Sequence, residues 1–290
     1  MKLFSESSDG NIASFNFLFK EFILKITHQI HRELLTRRID ITVVGAGGTG
    51  SALLPRLMQL HFAMLALGHP GGLSVTVFDN DTVSESNIGR QGFFPCDVGQ
   101  NKALLLVNRL NMAWGTSWHG IPNRLKKSDR IYSDIIIGCV DSRKARAAII
   151  GSIQKSLAYY IDSGNGQNSG QVIIGELGSQ ATMKRHDRLP TVADLFPEMV
   201  DASLDDKDEQ PSCSMAEALK KQSLVINTVM AAEIFNLLWT LIRSGSLKYS
   251  GRFVNLDSGT STPIRLDTET WERMGYLAPE MKKPKLKKVA

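Results

Sequence analysis

The stretch "VFDNDTVSESNIGRQG", Val77 to Gly92, gathers side chains able to handle a phosphorylated ligand: carboxylates at Asp79 and Asp81, then Asn87, Arg90 and Gln91. Upstream, "GAGGTG" places Gly45, Gly47 and Gly50 in G-x-G-x-x-G spacing, with Gly48 between; Lys102 and Asp141 follow downstream. The first glycine permits a tight turn, the second lets phosphate approach backbone N–H groups, and the third lets helix and strand pack closely. A carboxylate at Asp79 can accept hydrogen bonds from ribose hydroxyls, which suits a dinucleotide or a nucleoside triphosphate equally. Asp79 lies further beyond Gly50 than the roughly 20 residues usual in dinucleotide-binding dehydrogenases. Arg90, Asn87 and Lys102 distinguish the two ligands. Arginine recognises phosphate oxygens in a planar fork, lysine supplies a compact charge, and asparagine can orient an oxygen. A pyrophosphate already satisfied by a glycine loop does not need them, whereas a triphosphate does. Asp141 is placed to hold Mg²⁺, which takes one or two carboxylates plus phosphate oxygens, or else to cap the helix after it. Taken singly, Arg90 and Lys102 would read as surface charges.

Positioning these groups requires strands that end beside one another. "IDITVV" from Ile39 is a β-branched run that reads as a buried parallel strand, followed by the glycine turn and the helical "SALLPRLMQLHFAMLALG". "LSVTVFD" reads as a strand ending at Asp79, "VGQNKALLLVNRLNMAW" as a helix, "DIIIGCVD" as a strand ending at Asp141, and "SRKARAAIIGSIQKSL" as a helix. This alternation predicts a Rossmann-like, doubly wound, mostly parallel α/β sheet with its ligand site at the carboxyl ends of the strands. "YYIDSGNGQNSGQVIIGEL" reads as two strands about a turn, residues 215–243 have helical apolar spacing, and "RFVNLDSGTSTPIRL" reads as a hairpin, giving a C-terminal antiparallel extension. The expected organisation is an N-terminal amphipathic helix within 1–38, a body over 39–266 with an acidic mobile loop at about 198–212, and a basic tail over 267–290. The amphipathic helix rests on Phe15, Phe19, Phe22, Ile26 and Ile30 recurring at three and four.

Apolar residues make up 42% and charged residues 22% of the 290 residues, as in ordinary globular proteins. The net charge of +5 is matched by the tail lysines Lys282, Lys283, Lys285, Lys287 and Lys288, so the body is close to neutral and nucleic acid is not the expected partner. "FNFLFKEFILKI" is interrupted by charges too soon for a membrane span. Cys96, Cys139 and Cys213 form no C-x-x-C pair, which argues against a disulfide scaffold and fits a reducing cytoplasm. Cys139 reads as core packing, and Cys96 has no supporting context. The six histidines, His28, His31, His61, His69, His119 and His186, show no metal-ligand spacing, and most read as surface or packing residues.

The order G-x-G-G-x-G, D-x-D-T-V-x-x-S-N-x-x-R-Q, V-G-x-x-K, then a strand ending C-x-D, resembles the adenylation domain of ubiquitin-activating enzymes and their bacterial relatives ThiF and MoeB. "ALGHPGGLSVTVFDNDTVSESNIGRQ" and "PSCSMAEAL" are most similar to the ThiF-like family of the bacterial PRTRC gene system. The resemblance runs from about residue 40 to 266. It implies ATP and Mg²⁺ as cofactors, a cytoplasmic homodimer, and a small ubiquitin-like partner whose C-terminal glycine is adenylated. It places Asp79 on the ribose, Asn87, Arg90 and Lys102 on the phosphates and Asp141 on the magnesium. Gly45, Gly47, Gly48, Gly50, Asp81 and Gln91 complete the nucleotide site. Cys213 aligns with a family cysteine and reads either as a thioester-forming nucleophile or as a buried thiol. The zinc-binding C-x-x-C pairs of ThiF and MoeB are missing, so no zinc is expected, and Arg32, Arg37 and Arg38 are the candidates for an arginine donated across the dimer. Two other readings stand beside this one: an NAD(P)- or FAD-dependent oxidoreductase, favoured by the glycine motif alone, and a catalytically silent partner-binding scaffold.

Overall fold

The computed structural model describes residues 27–205 and 222–279. Phe15, Phe19, Phe22, Ile26, Cys213, residues 206–212 of the acidic loop and the lysine tail lie outside the described residues. Among the described residues, ten strands and seven α-helices follow one another: β1 (His28–Gln29), β2 (Ile39–Val44), α1 (Gly48–Ala66), β3 (Leu73–Phe78), α2 (Lys102–Trp114), β4 (His119–Ile121), β5 (Ile135–Gly138) and α3 (Arg143–Ser152). Then come β6 (Leu157–Asn165), β7 (Ser169–Gly178), α4 (Gln180–Met183), α5 (Val192–Leu195), α6 (Ile226–Ser244), β8 (Ser246–Leu247), β9 (Tyr249–Asn255), β10 (Thr260–Arg265) and α7 (Thr268–Arg273).

Eight strands form one sheet in the order β10-β9-β7-β6-β5-β2-β3-β4. The five from β4 to β6 are parallel; β7, β9 and β10 extend the sheet antiparallel. The Rossmann-like class and its antiparallel extension are therefore as the sequence indicates. β4 was not anticipated, because three residues are too few to show a period.

The sheet is buried on both faces, and alternation along single strands shows it. Ile135 and Ile137 join one core with α1, α2 and α6, while Ile136 between them joins another with α3, α5 and Trp271 of α7. Tyr159 and Ile161 face the first core, Ala158 and Tyr160 the second. This period of two under a near-continuous apolar run is what a parallel strand covered by helices on both sides requires.

The packed body is longer than 39–266. On the amino-terminal side the helical reading fails at Ile30: His28 and Gln29 pair antiparallel with Leu247 and Ser246, and Ile30 N–H donates to the Gly245 carbonyl at 2.9 Å. Gly245 ends α6 in the left-handed conformation (φ 67), which turns the chain into β8 and makes that pairing reachable. Ile30 and Leu34 are buried in the first core. On the other side, Asp267 caps α7, its side chain accepting from Thr270 N–H at 2.7 Å, and Trp271 is buried, so part of the expected tail is folded. The acidic loop is ordered over its first residues too. Pro197–Val200 and Ala202–Leu204 form short 3-10 turns, and Asp205 accepts from the Arg143 and Lys144 N–H groups at 2.8 and 2.9 Å, capping α3. No helix among the described residues is long and apolar enough to cross a membrane.

Candidate active site

Register brings the chemistry-bearing residues level. Val44 of β2 is opposite Phe78 of β3 on one side and Gly138 of β5 on the other, so Gly45, Asp79 and Cys139 emerge side by side. β3 and β4 lie to one side of β2 and β5 to the other, which opens a crevice where the connections diverge. A cleft of about 620 Å³ occupies it, lined by Gly45, Gly47, Gly48, Asp79, Asp81, Arg90, Gln91, Lys102 and Asp141, among others.

The glycine loop is held by contacts that other residues would break. Gly45 has φ +94, and a Cβ there would sit 2.4 Å from the Cys139 carbonyl oxygen. At Gly50 a Cβ would lie 2.0 Å from the Gly45 carbonyl oxygen, and at Gly48 it would meet the Asn227 side chain at 2.5 Å. Gly47 differs, since a Cβ there would meet nothing within 4 Å because it faces the open cleft. Gly50→Ala is accordingly expected to lower stability by about 1–3 kcal/mol, read by urea unfolding. Gly47→Ala is expected to leave unfolding unchanged while weakening nucleotide binding in a calorimetric titration. Equal stability losses in both variants would contradict this division.

Asp79 does more than offer an acceptor. Ala46 N–H donates to Asp79 Oδ2 at 2.6 Å and Asp81 N–H to Oδ1 at 2.8 Å, so the carboxylate ties the glycine loop to the end of β3. Burial pushes the Asp79 carboxyl above the usual range, against the pull of those two N–H groups. Asn101 caps α2, its Oδ1 accepting from Leu104 N–H at 3.0 Å, while its Nδ2 donates to the Asp79 and Asp81 carbonyls at 2.9 and 3.1 Å. Lys102, the first residue of α2, is thereby buried with its Nζ 3.4 Å from Asp81 Oδ2. Asp81 thus orders the loop through its backbone and faces the Lys102 ammonium with its side chain.

Arg90 lines the same cleft. Its Nη1 donates to Gln222 Oε1 at 2.8 Å, and its buried Nε has no partner among the described residues; Gln91 Oε1 is likewise buried and unpartnered. Gly92 N–H donates to Ser51 Oγ at 3.0 Å, anchoring the segment on α1. Asn87 is placed differently from the other phosphate candidates. It is buried beneath this segment, its Oδ1 accepting from Ser84 N–H at 3.0 Å, and it does not line the cleft. Gly50 also stands behind the lining rather than in it. Asp141 lies beyond the end of β5 with an exposed carboxylate that no hydrogen bond engages among the described residues; Ser142, not Asp141, caps α3. A single free carboxylate beside a glycine loop fits Mg²⁺, which fills its other positions with water and phosphate oxygens.

Several cleft residues were not picked out from the sequence. Asn227, at the start of α6, accepts through Oδ1 from Thr49 Oγ1 at 3.1 Å and Asn165 Nδ2 at 3.2 Å, and donates through Nδ2 to the Gln222 Oε1 that also receives Arg90. Arg146 is buried on α3 and donates from Nε to Asp162 Oδ1 at 2.9 Å, while Tyr160 hydroxyl donates to the same oxygen at 2.8 Å. Arg146 carried a signal: in "SRKARAAII" it lies one turn before Ile149 on the face that packs inward. Asn227 carried none, because its partners are distant in the chain. Cys139 is half-buried against the first core, and burial, reinforced by Asp162, pushes its thiol up to about 12, which leaves it a packing residue. Cys96 is exposed. Arg37 and Arg38 are engaged at the opposite end of the strands: Arg37 forks onto Asp134 at 2.7 Å through both Nη atoms, and Arg38 pairs with Asp40 at 3.2 Å. The histidine reading needs one correction, since the fold brings His28 and His31 together beside Glu176.

The fold is a doubly wound α/β sheet whose glycine loop, acidic strand end and two cations converge on one cleft. Residues 26–272 match the ThiF family, and the chain belongs to it. It is 33% identical over 107 residues to ubiquitin-activating enzyme E1 1 of Candida albicans (strain WO-1), a match covering 36% of this chain and 9% of that protein. It is 25% identical over 150 residues to ubiquitin-like modifier-activating enzyme 5 of Dictyostelium discoideum, covering 46% of this chain and 37% of that protein. The chain thus spans well under half the length of either relative.

Proposed function

We propose that the protein uses MgATP to adenylate the C-terminal glycine of a small ubiquitin-like protein. The observation that carries this reading is Arg90, a cation with an unpartnered buried Nε, facing the same cleft as the buried Lys102 and a glycine loop open at Gly47. Hydride transfer has no use for two such cations, whereas displacement at a triphosphate does. The partner's carboxylate oxygen attacks the α-phosphorus, the bond to the bridging oxygen breaks, and pyrophosphate leaves with the electron pair. The nucleophile is already ionised, so no general base is required and the residues act by positioning and by neutralising phosphate charge. Asp79 receives the ribose hydroxyls, the N–H groups around Gly47 and the amino end of α1 receive phosphate oxygens, and Arg90 and Lys102 draw charge from the departing pyrophosphate. Asp141 would hold the magnesium, which when bound offsets phosphate charge.

Membership of the family, similarity to two ubiquitin-type activating enzymes and the motif order support this reading. A cytoplasmic homodimer, kinship with the PRTRC-system ThiF proteins and a thioester on Cys213 belong to the same proposal. The test is exchange of labelled pyrophosphate into ATP in the presence of glycine-terminated ubiquitin-like proteins. Partner-dependent exchange supports the proposal; binding of NADH with no exchange for any such partner overturns it. A reducible, partner-sized adduct that persists in Cys213→Ser would exclude the thioester role.

A further inference from the structure

At the end of the sheet opposite the cleft, a second polar cluster is buried with no part in the proposed reaction. Tyr159 of β6 and Glu176 of β7 are register partners, and both side chains are buried. The short pairing of β1 with β8 lays His28 and His31 over them. His31 stacks on the Tyr159 ring with centroids 4.2 Å apart and planes at 13°, and its Nε2 is 2.6 Å from Glu176 Oε1. His28 Nε2 is 2.7 Å from the Tyr159 hydroxyl.

We propose that His28, His31 and Glu176 form a binding site for a divalent transition-metal ion of the zinc class. One ligand atom from each lies within 4.8 Å of the others. Ligands sharing a tetrahedral zinc ion at its usual bond lengths are about 3.4 Å apart, so small side-chain torsions close the set. Two imidazoles and one carboxylate select a borderline-soft ion over magnesium or calcium, which favour all-oxygen shells. The three ligands leave a fourth position for water, for the Tyr159 oxygen or for a partner's group.

The surroundings orient ligands. Leu189 N–H donates to Glu176 Oε2 at 2.9 Å, fixing the carboxylate with its other oxygen toward the histidines. Arg185 is the competing charge, with Nη1 3.5 Å from Glu176 Oε1, yet its Nε is already 3.0 Å from Asp187, which can retain it when a metal takes Glu176. Without a metal, the same groups would form only a hydrogen-bonded staple between β1 and the sheet. The two arrangements differ in one measurable respect.

The tag-free full chain, stripped with chelator and dialysed against Zn²⁺, is expected to retain about one zinc per chain by elemental analysis. Co²⁺ in its place should give the intense visible bands of a four-coordinate nitrogen and oxygen site, a readout that needs no variant. His31→Ala and Glu176→Gln are each expected to weaken zinc binding at least tenfold, with far-ultraviolet circular dichroism confirming that each remains folded. Zinc retained at wild-type strength in both variants would place the metal elsewhere and overturn the assignment. Absence of both zinc and the cobalt bands from the wild-type chain would show a staple only. Pyrophosphate exchange plays no part in these measurements, so failure of the adenylation reading leaves them intact.

Discussion

Arg90→Ala is expected to slow partner-dependent pyrophosphate exchange by about 10²–10³-fold, the usual cost of removing one preorganised donor aimed at developing charge. The same change should leave unfolding stability unchanged or slightly higher. The two halves of this expectation have one cause. Arg90 is a half-buried cation; burial pulls its affinity for the proton below that of a free guanidinium. Among the described residues the only hydrogen-bond partner of its guanidinium is the neutral Gln222 carboxamide, and its buried Nε is unpartnered. Desolvating a cation without an anion beside it is unfavourable, and the folded chain tolerates that cost at a position where a phosphate would relieve it. ATP should therefore raise the unfolding temperature of the wild-type chain more than that of Arg90→Ala. Arg90→Lys should recover only part of the rate, because an ammonium cannot reproduce the fork that holds Gln222 and a phosphate oxygen together. A variant that loses stability and keeps its exchange rate would reduce Arg90 to a structural contact.

The parts of this molecule that could be read along the chain are those set by local rules. A β-branched run, a glycine turn and an apolar helix in succession specify β2, the loop and α1, and the parallel sheet follows from repeating that order. Asp79, Asp81, Arg90, Gln91 and Lys102 were legible because each follows closely on an element end that the fold carries to one crevice. Asn87 reads with them as a side chain able to orient a phosphate oxygen, yet its short carboxamide is spent within its own turn as the acceptor for Ser84 N–H. What could not be read depends on register between distant segments. Asn227 meets Thr49 only because α6 packs on α1, and nothing near Asn227 records that crossing. The His28–His31–Glu176 cluster exists because two residues of β1 pair with two of β8, a contact too short to leave a periodic trace. Helical spacing at the amino end carried through to Ile30 for a related reason: an apolar residue at the right interval satisfies a helix or a strand edge equally, and the Gly245 carbonyl decides which.

The largest loss of stability is expected from Arg146→Met. Asp162 is fully buried, and its Oδ1 holds the Arg146 Nε and the Tyr160 hydroxyl while Oδ2 has no partner among the described residues. Removing the guanidinium leaves a buried carboxylate without a counter-charge, a change that costs about 3–5 kcal/mol. For a chain of this size that lowers the unfolding midpoint on the order of 10 °C. The pH dependence identifies the cause. Burial already raises the Asp162 carboxyl, against Arg146 and the Tyr160 hydrogen bond, which pull it down; without Arg146 it rises further. A carboxyl whose folded value exceeds its unfolded one is proton-bound in the fold where the unfolded chain has released the proton. Its penalty is therefore absent below the unfolded value, about 4, and grows as pH climbs toward the folded one. Arg146→Met should consequently lose less stability at pH 5 than at pH 8 in urea unfolding, and Arg146→Met/Asp162→Asn should regain most of the difference, since an amide oxygen still accepts from Tyr160. A loss of equal size at both pH values would mean that packing, rather than the Asp162 charge, is what Arg146 supplies. The effect reaches the cleft as well: Arg146 Nη1 donates to the Asp141 carbonyl at 3.4 Å, so the backbone carrying the proposed magnesium ligand loses a tether when the guanidinium goes.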